Sequence, residues 1–362
     1  MPTVIIFLIV LAVLIFVHEL GHFWAAKLFG IRVDAFAIGF GPKIISRKVG
    51  ETTYLLRLIP FGGYVKIFGE NPDTDSLTGP DSPRSIAMKA RWKQAIVLFA
   101  GIFFNFLFAW LLYIVIFTNG VTATTDGFEK YADRFTDSRI MITQVLPGSP
   151  ADKANVKLGD IISIIDGNVT GVGDIQKYIN ENGNNPIKIN LIRNEAHVIA
   201  DVIPAPGLIE GKYAIGIAMQ NVVDLRLPFF TSIYEGLHYT LIMIKDTVTG
   251  LFAFFSGIFL GTANFSDIAG PIGIAGIIGN AAELGLAYLL MITAIISINL
   301  GIINLIPFPA LDGGRILFVA IEGVIRRRIP EKFTNIVNSA GFILLMLLMV
   351  LVTYKDIAKL FK

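Results

Sequence analysis

Four long apolar runs punctuate the chain. The first covers residues 4–17, and its pattern continues through 23–28. The second is 95–117, behind a basic stretch at 89–93. The third is 286–306, closed by Pro307 and Pro309, and the fourth is 336–352. Each can cross about 30 Å of hydrocarbon as a helix, the last at the short limit. A cleaved signal peptide would want a basic start and a small-residue cleavage site. Met1-Pro2-Thr3 is uncharged and His18-Glu19-Leu20-Gly21-His22 follows the run, so it reads as a retained span. A fifth apolar stretch, 225–260, is interrupted by Lys245 and Asp246, and its longest clean part, 248–261, is 14 residues. That length suits an interfacial or packed helix better than a span.

The intervening segments carry a different pattern. Residues 51–66 are strand-like and end near Gly62-Gly63, and 39–44 (GFGPKI) is turn chemistry, so a small sheet or hairpin is expected there. Residues 71–83, rich in Pro, Asp, Ser and Gly, read as a flexible loop. Residues 127–221 alternate strand-like runs (139–146, 160–165, 187–192, 197–203) with one short helix at 172–179. The expected fold is a polytopic α-helical membrane protein with four transmembrane helices, a small β-hairpin region and one inserted α+β domain. Its divisions are 1–29, 30–92, 93–118, 127–221, 225–284, 285–325 and 336–355.

Composition supports this. Apolar residues make up 54% and charged residues 16%, against about 25% charged in soluble domains. A net charge of +2 offers no bulk attraction for nucleic acid. Cysteine is absent, which removes disulfides, thiol nucleophiles and cysteine-ligated zinc. Basic residues crowd the loop after the first span (Arg32, Lys43, Arg47, Lys48, Arg57, Lys66, Arg84, Lys89, Arg91) and after the third (Arg315, Arg326, Arg327, Arg328, Lys332). Both loops are expected on the cytoplasmic side, with both termini and the inserted domain extracytoplasmic. Lys355, Lys359 and Lys362 pull weakly the other way.

His18-Glu19-Leu20-Gly21-His22 is an H-E-x-x-H pattern. On a helix, positions i and i+4 share a face, so two imidazoles can reach one zinc, with Glu19 beside them as a base. The alternative is a packed histidine pair with an interfacial glutamate. A catalytic zinc needs a third protein ligand. His197 lies in a soluble strand pattern and His238 in an amphipathic stretch; surface roles suit both better. Asp312 follows Asn304-Leu305-Ile306-Pro307-Phe308-Pro309-Ala310-Leu311 and precedes Gly313-Gly314. Broken backbone at membrane depth is tolerated inside protein or beside a water-filled cavity; the alternative is a helix-ending Asp-Gly turn. His18 lies about 22 Å along the first helix, near the inner side, and Asp312 comes just past the inner end of the third span.

HELGH in the first span and NLIPFPALDGG after the third together resemble the site-two protease family of intramembrane zinc metalloproteases. GFGPKI, PFGGYVK and DIAGPIGIA (267–275) are similar to its bacterial branch, which cleaves anti-sigma factors and remnant signal peptides. The resemblance implies Zn2+ held by His18, His22 and Asp312, with Glu19 as general base. It matches Asn299 and Asn304 to substrate-side asparagines; helix–helix hydrogen bonding is the alternative for both, and Asn105 reads only as packing. Pro147-Gly148-Ser149-Pro150, Gly159-Asp160-Ile161-Ile162 and Asp166-Gly167 resemble a bacterial PDZ domain, with Ala154-Asn155 where Ala-Gly is usual. One such domain is present, where the better-known family member has two.

The implied substrate is a transmembrane helix of a membrane protein, unwound before attack because a helix hides its carbonyls in its own hydrogen bonds. The segment 54–66, with Gly62, Gly63 and Tyr64, offers an edge on which an extended substrate pairs; the alternative is a hairpin that shields the site. Expected partners are this substrate, the lipid bilayer of a bacterial inner membrane and a peptide or protein ligand of the PDZ-like domain. Two other classes stay open: an inactive membrane scaffold, against which Glu19 argues, and a transporter or metal carrier, against which the few spans and lack of an inverted repeat argue.

Overall fold

The computed structural model describes residues 3–71, 73–124, 128–165, 171–193, 196–209, 211–262 and 269–360. In chain order the elements are α1 (Thr3–Leu28), β1 (Val33–Val49), β2 (Thr52–Ile67), α2 (Thr74–Thr78), α3 (Arg91–Asn119), β3 (Val121–Thr124), β4 (Phe135–Val145), α4 (Pro150–Lys153) and β5 (Ile161–Ile165). There follow α5 (Val172–Asn182), β6 (Ile187–Arg193), β7 (Ala196–Val202), β8 (Ala205–Ile209), β9 (Lys212–Ala214) and β10 (Ile217–Leu225). The chain ends with α6 (Phe229–Leu260), α7 (Pro271–Glu283), α8 (Leu286–Leu305), α9 (Asp312–Ile325) and α10 (Glu331–Leu360). They form two compact units, one of Met1–Ile116 with Phe230–Lys362 and one of Phe117–Phe229.

In the helical unit, α1 and α3 run in opposite directions: His22 lies against Val97 and His18 against Asn105. Their approach is backbone to backbone, since a Cβ on Gly21 would overlap the Ala100 carbonyl. α7 leans on α1 and α8 through an apolar cluster of Phe7, Val10, Leu14 and Ile278, with Leu289, Ile292 and Leu300 packed against it. Gly279 of α7 abuts Thr3 at the start of α1. The buried Asp356 carboxylate of α10 accepts the Gly273 N–H at 2.8 Å, capping the first turn of α7.

Among the described residues, five helices are long and apolar enough to cross a membrane: α1, α3, α6, α8 and α10. Four match the expected spans, and this is a membrane protein. The segment expected to be too interrupted to span is instead one 32-residue helix, α6, continuous through Lys245 and Asp246. Two charges on a helix surface break a hydropathy run without breaking the backbone hydrogen bonds, so length does not exclude α6 and the count of four spans is not established by it.

β1 and β2 pair antiparallel, but each bends. Residues 35–38 face both 53–56 and 63–66, while 43–49 face 52–57, so the first half of β1 lies between the two halves of β2. The expected turn at 39–44 is this bend, with Gly39 at φ +83° and Gly41 at φ +84°. The outer segment, Gly63–Ile67, is left as a sheet edge. Glu51, at the opposite tip, pairs with Lys27 at 2.5 Å and with Arg84, and the two cations hold its carboxyl below the usual range. The expected loop at 71–83 contains α2, capped by Asp73, whose carboxylate accepts the Ser76 N–H at 2.8 Å.

The second unit is a six-stranded antiparallel sheet in the order β3-β10-β4-β5-β6-β7, with a separate β8–β9 pair. Its core holds Ile142, Ile187, Ile189 and Leu191, covered by Ile175 and Ile179 of α5. Asp160 is fully buried, accepting two bonds from Arg193 at 2.7 Å and one from the Lys157 N–H at 2.8 Å. Asn155 has φ +58°; asparagine tolerates this left-handed conformation, so it stands where glycine would be usual. The expected strands at 139–146, 160–165, 187–192 and 197–203 and the helix at 172–179 are present; β3 and β10, near the unit's ends, escaped the pattern. The Asp166-Gly167 turn and the first two residues of 267–275 lie outside the described residues.

Candidate metal centre

His18 and His22 lie one turn apart on α1, both buried. Three successive turns of α3 support them. The Val97 carbonyl accepts the His22 Nδ1–H at 2.8 Å. Gly101 leaves room for both rings: an added Cβ would overlap His22 Nε2 and stand 2.9 Å from His18 Cε1. The Asn105 amide lies 3.1 Å from His18 Nδ1. Positions 97, 101 and 105 are four apart, so one helix stripe serves both imidazoles.

Asp312 is brought in by the break between α8 and α9. The chain leaves α8 at Leu305, turns through the two prolines, and takes φ +72° at Ala310. The Ala310 N–H donates to Asn338 Oδ1 of α10 at 3.3 Å. Any Cβ on Gly313 would strike the Leu305 and Ile306 carbonyls, and one on Gly314 the Phe308 carbonyl. The glycine pair therefore lets α9 start hard against the end of α8, with Asp312 as its first residue.

Asp312 Oδ2 stands 3.1 Å from His18 Nε2 and 3.2 Å from His22 Nε2, and the two Nε2 atoms are 3.2 Å apart. That buried oxygen nevertheless makes no hydrogen bond of ordinary geometry. Three potential ligand atoms thus converge, the two Nε2 atoms within hydrogen-bond distance of each other and Asp312 Oδ2 without an ordinary partner among the described residues. Tetrahedral zinc with ligands at about 2.0–2.1 Å separates them by about 3.3 Å, so the trio fits zinc in spacing and donor type. Glu19, next to His18 on α1, accepts the Val65 N–H of the sheet edge at 2.9 Å. A cavity of about 160 Å³ is lined by His18, Glu19, His22, Tyr64, Asp312 and Arg315, among others.

The other expected residues are placed as follows. Gly63 packs tightly: a Cβ there would stand 2.8 Å from the Ala37 carbonyl and 3.6 Å from Glu19 Cγ. Gly62 has φ +88° and its Cβ would overlap the Phe40 ring. Tyr64 lines the cavity and its hydroxyl accepts from Arg57 at 3.0 Å. Asn299 Oδ1 accepts from Thr247 of α6 at 3.1 Å, so it joins two helices. Asn304 is half-buried, its side chain makes no hydrogen bond to the described residues, and it does not line the cavity. His197 and His238 do not join the metal-binding trio.

Reading the sequence alone missed Gly21, Gly101, Asn105 and the Val65 amide. It also missed the ion pair of Arg315 with Glu70 at the cavity wall. Asn105 in particular is a partner of His18 and not simply packing. The spacing of Gly101 and Asn105, i and i+4 in an apolar helix, was the available signal.

The profile of peptidase family M50 matches residues 6–348. The chain belongs to peptidase family M50. A candidate zinc metalloprotease of Clostridium perfringens is 38% identical over 356 residues, covering 98% of each chain. The zinc metalloprotease RasP of Geobacillus kaustophilus is 30% identical over 435 residues, covering 100% of this chain and 99% of its own. A candidate zinc metalloprotease of Synechocystis is 35% identical over 355 residues, covering 96% and 92%. The protein is accordingly a zinc metalloprotease, and the His-His-Asp trio is its candidate metal site.

Proposed function

We propose that this M50 enzyme hydrolyses peptide bonds within transmembrane segments of membrane proteins, of the anti-sigma-factor or remnant-signal-peptide kind, with Glu19 as general base. One observation carries the reading: the metal trio and Glu19 lie between helices long and apolar enough to span a bilayer.

Zinc held by His18, His22 and Asp312 would supply Lewis acidity, polarising the scissile carbonyl and making water a nucleophile near neutral pH. Glu19 takes a proton from the attacking water and returns it to the leaving amine. The Val65 N–H holds the Glu19 carboxylate at 2.9 Å, which fixes its direction. The substrate must arrive extended, and the Gly63–Ile67 edge beside Glu19 is suited to pair with it. A substrate strand seated there competes with Glu19 for the Val65 N–H, so docking and base orientation are coupled. Gly63 lets this strand lie close against α1, where a Cβ would stand 3.0 Å from Ile15 Cγ2.

Membrane orientation rests on connectivity as well as on basic residues. α7 lies by the first residue of α1, and α8 leaves it to end beside Asp312 at the depth of His18. α8 therefore runs the same way as α1, and α3 the opposite way. Between α3 and α7 the chain must cross an even number of times. A single crossing by α6 would have to be undone within 261–270, too short a stretch for a second spanning helix of about 17–25 residues, and an unpaired extended chain is not tolerated in hydrocarbon. This supports four spans, with α6 as a packed or interfacial helix, both termini extracytoplasmic and the 127–221 insert outside a bacterial inner membrane. The sheet and α5 of that insert support a PDZ-like module that takes extended peptide; a groove of about 450 Å³ lies beside α5 and the start of β10.

A scaffold role would need neither the base nor the converging donors. The test is Glu19→Gln in cells, with proteomics of membrane fragments, and zinc content of the purified protein. Uncleaved transmembrane fragments should accumulate while about one zinc per chain is kept. Unchanged fragment levels would refute the substrate assignment.

A further inference from the structure

We infer that Asn105 is the positioning residue of His18, accepting its Nδ1 proton so that Nε2 faces the metal as a lone pair. His22 has a fixed acceptor on its far nitrogen, the Val97 carbonyl at 2.8 Å, and its Nε2 is thereby free to ligate. His18 needs the same arrangement, since a neutral imidazole that ligates through one nitrogen carries its proton on the other. The side chain facing His18 Nδ1 is Asn105, at 3.1 Å and with no exposure.

The amide as placed turns Nδ2 toward His18 and leaves Oδ1 buried without a partner. That orientation suits a His18 whose proton is on Nε2, within reach of His22 Nε2 at 3.2 Å and Asp312 Oδ2 at 3.1 Å. Zinc reverses the requirement, because Nε2 must then give up its proton to bare a lone pair. A half-turn of the amide brings Oδ1 to the Nδ1 proton, and the two orientations are nearly identical in shape. Asn105 can thus serve both protonation patterns of His18 without moving the helix. Its place is set by the backbone of α3, whose carbonyl at Asn105 also accepts from Ser297 Oγ at 2.8 Å.

The test measures zinc affinity of the full chain in detergent by chelator competition. Asn105→Leu keeps the bulk and removes the acceptor; partners of metal-bound histidines typically contribute 10–100-fold in affinity, and a loss of that size is expected. Asn105→Asp restores an acceptor and should return affinity to within about threefold of wild type or better. Ser297→Ala removes the neighbouring bond on the same turn and should leave affinity within the same margin. Asn105→Leu binding as tightly as wild type overturns the inference. So does an equal loss in Ser297→Ala, which would mean helix packing is the cause. Those two variants decide the matter even if the aspartate protein does not fold.

Discussion

The sharpest perturbation of the centre replaces none of the candidate ligands. In Gly101→Ala the new Cβ would stand 2.7 Å from His22 Cε1 and 2.9 Å from His18 Cε1. Non-bonded carbons prefer about 3.5–4.0 Å, so the rings must retreat by roughly 0.6–1.3 Å. Metal–ligand distances tolerate only about 0.2 Å. Little can yield: His22 is tied to the Val97 carbonyl, and α1 is in backbone contact with α3 at Gly21. Overpacking of this kind costs about 1–3 kcal/mol. Spent on the bound geometry, this corresponds to about 5–150-fold weaker zinc binding. Helix propensity works in the other direction, favouring alanine by about 1 kcal/mol, so the helix itself should not weaken. Chelator competition on the purified protein reads the affinity, and circular dichroism reads helix content. Gly276→Ala, where nothing lies within 4 Å of the added Cβ, is the control. Zinc affinity within about threefold of wild type in Gly101→Ala would refute the argument that this glycine makes room for the ligands.

Three further outcomes are expected. Asp160→Asn should destabilise the sheet unit by about 3 kcal/mol, because it leaves the Arg193 cation poorly paired beside a buried site; hydrogen exchange of β4–β7 amides should quicken, with zinc content unchanged. Single cysteines in this cysteine-free chain should label from outside at Lys188 and from inside at Lys48 and Arg327; labelling of Lys188→Cys only from inside would contradict the topology. Deleting 127–221 with a short linker should leave zinc bound and broaden cleavage toward untrimmed substrates; a zinc-loaded deletion without any activity would instead indicate a required docking role.

Sequence by itself determined the chemistry and most of the helices. His18, Glu19 and His22 are local: their spacing on one helix makes the two imidazoles neighbours wherever that helix packs. Apolar runs mark α1, α3, α8 and α10 for the same reason, since a spanning helix satisfies its own backbone. α6 was legible as apolar, but its continuity was hidden because hydropathy averages over two charges that sit on a helix surface. Asp312 was legible only as a candidate, 290 residues beyond His22. Tertiary structure decided that it arrives, through prolines that end α8 and glycines that let α9 start against it. It also decided the parts that no local pattern encodes. A glycine and an asparagine in α3 become the floor of the metal site only because α1 crosses them. A backbone N–H in β2 becomes the partner of Glu19 only because the bent hairpin leaves its edge unpaired. Contacts of this kind depend on which surfaces meet, and sequence periodicity describes each surface without naming its neighbour.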